Sequence, residues 1–236
     1  MKLLNPILKL FFAIMLLQSI SCSDDTVEIG SNLQVVPQQI LTANINYRGT
    51  IKLIPQMLMA QGGNPDKSYT WEIDTSYLAT PERVRIEATS GIVTLEGASA
   101  EGFKTGTTYF RVLVSDGEFT SKGMVGIKIT DHKLDPVSDL QQLQAADYQL
   151  MNGVLDQFYC ASLFAMGGTP PYTFSMDTVD TAELEEYGLS LNDEFGLISG
   201  EIPKDVPPRL LSFKVDIKDS RGKSALYNPI YKIRVR

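Results

Sequence analysis

From residue 34 to the C-terminus the chain alternates apolar and polar side chains with a period of two, in short runs closed by turn residues. Phe110, Val112 and Val114 point one way and Tyr109, Arg111 and Leu113 the other; Phe213, Val215 and Ile217 repeat the inward set, with Ser212, Lys214 and Asp216 facing out. Strands buried on one face produce this pattern, and it predicts an all-β chain built as antiparallel β-sandwich. Asp116-Gly117 and Ser220-Arg221-Gly222 each separate two such runs, as hairpin turns do. Helical periodicity is confined to Thr181-Ala182-Glu183-Leu184-Glu185-Glu186, enough for a turn or two.

Set against itself at an offset of 105, the chain repeats its landmarks: Gly62-Gly63 falls on Gly167-Gly168, Pro65 on Pro170, and Gly91-Ile92-Val93-Thr94 on Gly196-Leu197-Ile198-Ser199. With two residues dropped in the loops, Tyr69-Thr70-Trp71 meets Tyr172-Thr173-Phe174, and Phe110, Val112, Val114 and Asp116 meet Phe213, Val215, Ile217 and Asp219. Two tandem domains are expected, at 34–131 and 138–236, joined by a linker over 132–137 where charge and Pro136 interrupt the strand pattern. Because Trp71 falls on Phe174 in a strand frame, it reads as a core aromatic.

The residues before 34 follow different rules. Lys2 and Lys9 precede an apolar run, Leu10 to Leu17, too short to span a bilayer, which gives way to polar residues and Cys22. Residues 1–21 therefore read as an export signal and 22–33 as a polar tether. Small Ser21 before Cys22, followed by Ser23-Asp24-Asp25, resembles the processing site of bacterial lipoproteins in the looser form of the Bacteroidetes. That resemblance implies a lipid on Cys22, an export tag at Ser23, Asp24 and Asp25, and a lipid-anchored place on the outer membrane facing the exterior. Two or more acyl chains suffice for stable anchoring.

Charge narrows the partners. The full chain carries 21 basic and 28 acidic side chains, a net −7; without residues 1–21 the balance is 19 to 28, or −9. Nucleic acid and acidic lipid are excluded as default partners. At 43% hydrophobic residues the chain can fill packed cores, and it is neither a disordered tail nor a multi-span membrane protein. With Cys22 lipidated, Cys160 has no disulfide partner, and its strand-like setting, with nothing basic nearby in sequence, suits a buried, inert thiol.

The segments Gly167-Gly168-Thr169-Pro170-Pro171-Tyr172-Thr173-Phe174, Tyr187-Gly188-Leu189-Ser190-Leu191, Gly196-Leu197-Ile198-Ser199-Gly200 and Phe213-Lys214-Val215 are similar to the immunoglobulin-type repeat of bacterial surface proteins, within the cadherin-like group of sandwiches. The first domain follows it more loosely. Such modules serve as spacers, adhesins and glycan binders alike. Cadherin-like repeats often bind calcium between domains, so the resemblance also makes Asp131 and Asp135 candidate calcium ligands, although the ion prefers six to eight oxygens. No other cofactor is expected.

Catalytic constellations are missing from the sequence. The sole histidine, His132, lies in the linker; no zinc spacing, GxSxG elbow or phosphate loop is present. Glu183, Glu185 and Glu186 are acidic neighbours that read as solvated charge rather than as a glycosidase pair. Sugar rings stack on exposed aromatic faces, and the aromatics outside the repeat frame and near turns are Tyr77, Phe103, Phe119, Tyr187 and Tyr227. The sequence thus predicts a non-catalytic surface lipoprotein that binds extracellular polysaccharide or an envelope protein. The alternative is a structural spacer or assembly subunit of an outer-membrane complex.

Overall fold

The computed structural model describes residues 32–45, 49–77, 83–97, 99–131, 145 and 147–236. Cys22, Ser23, Asp24, Asp25, His132 and Asp135 lie outside them, as does the expected linker. The first repeat contributes β1 (Gln34–Val35), β2 (Gln39–Ile45), β3 (Ile51–Leu53), β4 (Gln56–Met57), β5 (Ala60–Gln61), β6 (Thr70–Ile73), β7 (Val84–Ile86), β8 (Ile92–Leu95), β9 (Gly106–Ser115) and β10 (Thr120–Asp131). The second contributes β11 (Tyr148–Gln149), β12 (Gln157–Ser162), β13 (Tyr172–Ser175), helix α1 (Thr178–Glu186), β14 (Ser190–Asn192), β15 (Leu197–Ile202), β16 (Leu210–Lys214), β17 (Asp216–Asp219) and β18 (Ile230–Arg234). The chain is an all-β sandwich protein with one short helix among the described residues.

The sequence repeat is a structural repeat down to single hydrogen bonds. Trp71 stands opposite Val114 as Phe174 stands opposite Ile217, and Ile86 opposite Val93 as Leu191 opposite Ile198. The Tyr69 hydroxyl donates to the Gly62 carbonyl at 2.8 Å, and the Tyr172 hydroxyl to that of Gly167 at 2.7 Å. Asp116 accepts the N–H groups of Asn64, Glu118 and Phe119, closing the β9–β10 turn; Asp219 accepts those of Thr169, Arg221 and Lys223 after β17. Each repeat also pairs an early strand parallel to its last one, β2 on β10 and β11 on β18. The alternation of side chains fixes which face is buried but not strand direction, so this departure from antiparallel pairing was invisible in the pattern.

Equivalent strands of the two repeats also pair with each other. The Gly62 N–H donates to the Cys160 carbonyl at 2.8 Å and the Gly167 N–H to the Pro55 carbonyl at 2.7 Å, two bonds that exchange under the offset of 105. Gln61 stands opposite Ala161, and Gln56 opposite Met166. The contact is isologous: the halves meet as the subunits of a two-fold dimer do, inside one chain. Between these bonded ends the ladder breaks. Leu58 and Leu163 turn their N–H groups back to Gly91 and Gly196 of their own repeats, while side chains serve the next residues. The Gln39 amide brackets the Met59 backbone, and the Tyr231 hydroxyl brackets that of Phe164.

Packing follows the seam. Val36, Met57, Met59 and Ile92 of the first repeat lie in the second repeat's core, whereas Cys160 and Leu197 lie in the first. Ile92 and Leu197 are themselves counterparts, so each repeat lends the other the same β-strand position.

Candidate functional site

The outer face of the sheet ordered β3-β2-β10-β9-β6 carries the most conspicuous exposed apolar surface in the first repeat. Ile40, Gly126 and Tyr109 form one row across three strands, with Met124 and Arg111 paired in the next. Ile40 is 44% exposed, Tyr109 49% and Met124 39%. A Cβ built on Gly126 would stand 3.0 Å from Tyr109 Cε1, so the tyrosine ring lies against the glycine and offers its other side to solvent. In the second repeat the same positions hold Gln149, Lys232 and Ser212, in register with one another. The sandwich therefore does not need this apolar row; only the first copy has it.

Arg111 fixes one margin of the face. Its Nε donates to Asp74 Oδ2 at 2.6 Å, and its guanidinium carbon lies 5.1 Å from the centre of the Tyr77 ring. The Ser76 hydrogen bond, opposed by desolvation and helped by Arg111, holds the Asp74 carboxyl below its ordinary value, so the arginine keeps an ionised partner.

At its other margin the face runs into a cleft of about 400 Å³ on the seam, with Ile40 in both. Its floor includes Met59 and its repeat counterpart Phe164, where the inter-repeat ladder is broken; Met166, Tyr148, Gln38 and Gln56 complete much of the wall. Gln38 holds φ at +63° in the Pro37-Gln38 turn, a corner where glycine or asparagine is usual. Among the described residues no charged side chain lines the cleft.

The five aromatics singled out in the sequence do not gather. Tyr77 belongs to the margin just described. Phe103 lines a separate hollow of about 320 Å³ with Arg83 and Lys104. Phe119 packs half-buried on the first core at the β9–β10 turn. Tyr227 is exposed, in the loop before β18, with its hydroxyl on Asp147. Tyr187 is a correction: it is wholly buried, its hydroxyl donates to the Pro207 carbonyl at 2.8 Å and Arg209 covers its ring, so core packing withdraws it from any surface contact. Sequence reasoning missed Ile40, Tyr109 and Met124 because each sits at an ordinary outward strand position. Comparing outward positions between the repeats would have found Ile40 and Tyr109, which stand against Gln149 and Ser212, but not Met124, whose counterpart is Ile230.

The remaining candidates are quieter. Arg209 bridges Glu183 and Glu186 at 3.2 and 3.6 Å, so two of the three neighbouring acids share one guanidinium. Cys160 is fully buried, and desolvation pushes its thiol up to about 12 despite a hydrogen bond from Tyr69. Asp131 ends β10 opposite Ile45, and Asp116 spends its carboxylate on turn N–H groups. Among the described residues no cluster of three or more His, Cys, Asp or Glu is placed to hold a metal ion, and no helix is long and apolar enough to cross a membrane.

No family model matches the chain, and no curated protein matches it. Solved structures do. An endo-fucoidan hydrolase from glycoside hydrolase family 107 aligns over 87% of this chain at 13% identity and a TM-score of 0.34, with the chain spanning only 29% of that protein. Drosophila N-cadherin EC1-3 aligns over 88% of this chain and 68% of its own at 15% identity, TM-score 0.33. Human protocadherin-24 EC1-2 aligns over 88% and 98% at 12% identity, TM-score 0.33. The class of this chain, an all-β sandwich, is read from its own strands and cores.

Proposed function

We propose that this chain is a non-catalytic binding or adhesion module of the cell exterior, held at the outer membrane by a lipid on Cys22. It meets an extracellular polysaccharide or an envelope protein through the outer face centred on Tyr109. The observation that carries this reading is the contrast between repeats: Ile40 and Tyr109 stand exposed, beside exposed Met124, where the second repeat places Gln149 and Ser212 around Lys232. Exposed apolar side chains grouped on one face mark contact surfaces. A tyrosine ring lying flat on a sheet presents an apolar face edged by a hydroxyl, which suits a sugar ring or a partner's side chain.

The test pairs a glycan array with affinity capture from envelope extracts, using the mature ectodomain and its Tyr109→Ala and Met124→Lys variants. Both substitutions are at exposed positions and leave the cores untouched. The reading expects a glycan or a stoichiometric envelope protein to be retained, and retention to weaken at least about tenfold, ~1.4 kcal/mol, in both variants. Retention of neither would leave the spacer role. Cys22→Ala should abolish incorporation of labelled palmitate, and unchanged labelling would remove the anchor.

A further inference from the structure

The two faces of the seam differ in a way the repeat does not require. On one side, beneath Trp71 and Phe195, packing leaves a hollow of only about 10 Å³; on the other, the cleft of about 400 Å³ stays open between Met59 and Phe164. That volume lies within the range of small-ligand pockets. It is made jointly by both repeats, so neither half alone contains it.

Its chemistry is selective. More than one residue in five of the chain is charged, yet none of the described residues that line the cleft is. A charged ligand would lose its hydration there with no counter-ion among the described lining residues to replace it. A purely aliphatic one would set apolar atoms against the Gln38 amide and the Thr42 hydroxyl, which line the mouth. The occupant that satisfies both has apolar C–H faces for Phe164 and Tyr148 and uncharged hydroxyls for the polar groups. A pyranose ring has that make-up. Gln38 adds an independent sign: its left-handed backbone presents a side chain at the cleft from a corner where a side chain is disfavoured, and such conformations cluster at ligand sites.

We infer that the seam cleft is a subsite for an uncharged pyranose unit. This rests on the reading of the chain as an extracellular binding module and names the ligand class at a place next to the Tyr109 face. The experiment titrates the mature ectodomain with short neutral gluco-, manno- and galacto-oligosaccharides and with uronic and sulfated oligosaccharides, followed by calorimetry and by chemical-shift mapping. Gln38→Glu and Met166→Glu place charge at the cleft, and Val179→Ala, on the far exposed start of α1, is the control; thermal melts confirm that each folds.

The expected result is saturable binding of at least one neutral oligosaccharide, shifts centred on Tyr148 and Phe164, a loss of about tenfold or more in both cleft variants and none in the control. Charged oligosaccharides should not bind there. Absence of neutral-saccharide binding at millimolar concentration, or binding that both cleft variants leave intact, overturns the inference. Partner retention that depends on Tyr109 while ignoring the cleft variants would sink the subsite and leave the module standing. Saccharide binding lost in the cleft variants but indifferent to Tyr109→Ala would keep the subsite and displace the contact face.

Discussion

Trp71 and Phe174 are the same residue twice. A Cβ on Gly91 would stand 2.8 Å from Trp71 Nε1, and one on Gly196 would stand 2.6 Å from Phe174 Cζ, so in each repeat a glycine at positive φ lets the aromatic ring lie on a turn backbone. The sequence offset pairs these residues too, since Gly91 and Gly196 head the same four-residue motif. Gly91→Ala and Gly196→Ala should each destabilise the protein by about 2 kcal/mol or more, from left-handed strain together with the collision, as measured by urea denaturation. Asp116 and Asp219 form a second matched pair. Desolvation pushes both carboxyls up, but donated backbone N–H groups outweigh it and hold them below their ordinary value. A carboxyl lowered in the fold contributes stability in full above the unfolded value of about 3.9 and loses it as pH falls through the lowered one. Asp116→Asn and Asp219→Asn should therefore lower the denaturation midpoint more at pH 7 than at pH 3. An equal loss at both pH values would show that the turns do not depend on ionisation.

At the scale of elements, the sequence disclosed faces and turns more readily than partners. The alternation of Phe110, Val112 and Val114 put the right side chains inward because a period of two admits only two faces. Helix α1 begins three residues before its apolar signal, because Asp177 caps it by accepting the N–H groups of Val179 and Asp180. The inter-repeat seam left no comparable trace. Its backbone bonds carry no residue signature, and of the side chains that bond across it Tyr69 and Tyr172 read equally as core aromatics while Ser162 is small and common. Ser162 Oγ accepts the Ala60 N–H at 2.8 Å and donates to the Ala60 carbonyl at 3.0 Å, replacing a ladder rung that the strands themselves do not make. Ser162→Ala would leave buried Ala60 polar groups without that partner. The expected loss is about 2 kcal/mol, read from the same denaturation curves. A neutral outcome would mean that water or a shifted strand restores the rung.

For the whole molecule, the tandem pattern suggests two independent modules, and the shared packing gives them a common fate. Four apolar side chains of the first repeat, Val36, Met57, Met59 and Ile92, are buried in the second repeat's core. Burial of such side chains is worth about 1.5–3 kcal/mol each. Together that is comparable with the whole stability of an ordinary domain, about 5–15 kcal/mol. The second repeat without the first would also lose the cover that these four side chains give its core. Mature protein should accordingly melt in a single calorimetric transition whose van't Hoff and calorimetric enthalpies agree. A fragment spanning 145–236 should lose most of its near-ultraviolet circular dichroism and bind a hydrophobic dye. Cys160 supplies an internal reporter for the same event: buried and with its thiol pushed up to about 12, it should resist iodoacetamide at pH 8 until the transition, then react at the rate of a free thiol. Two resolved transitions, or labelling of Cys160 well before the second repeat unfolds, would show that the seam opens by itself and that the cleft upon it belongs to a movable joint.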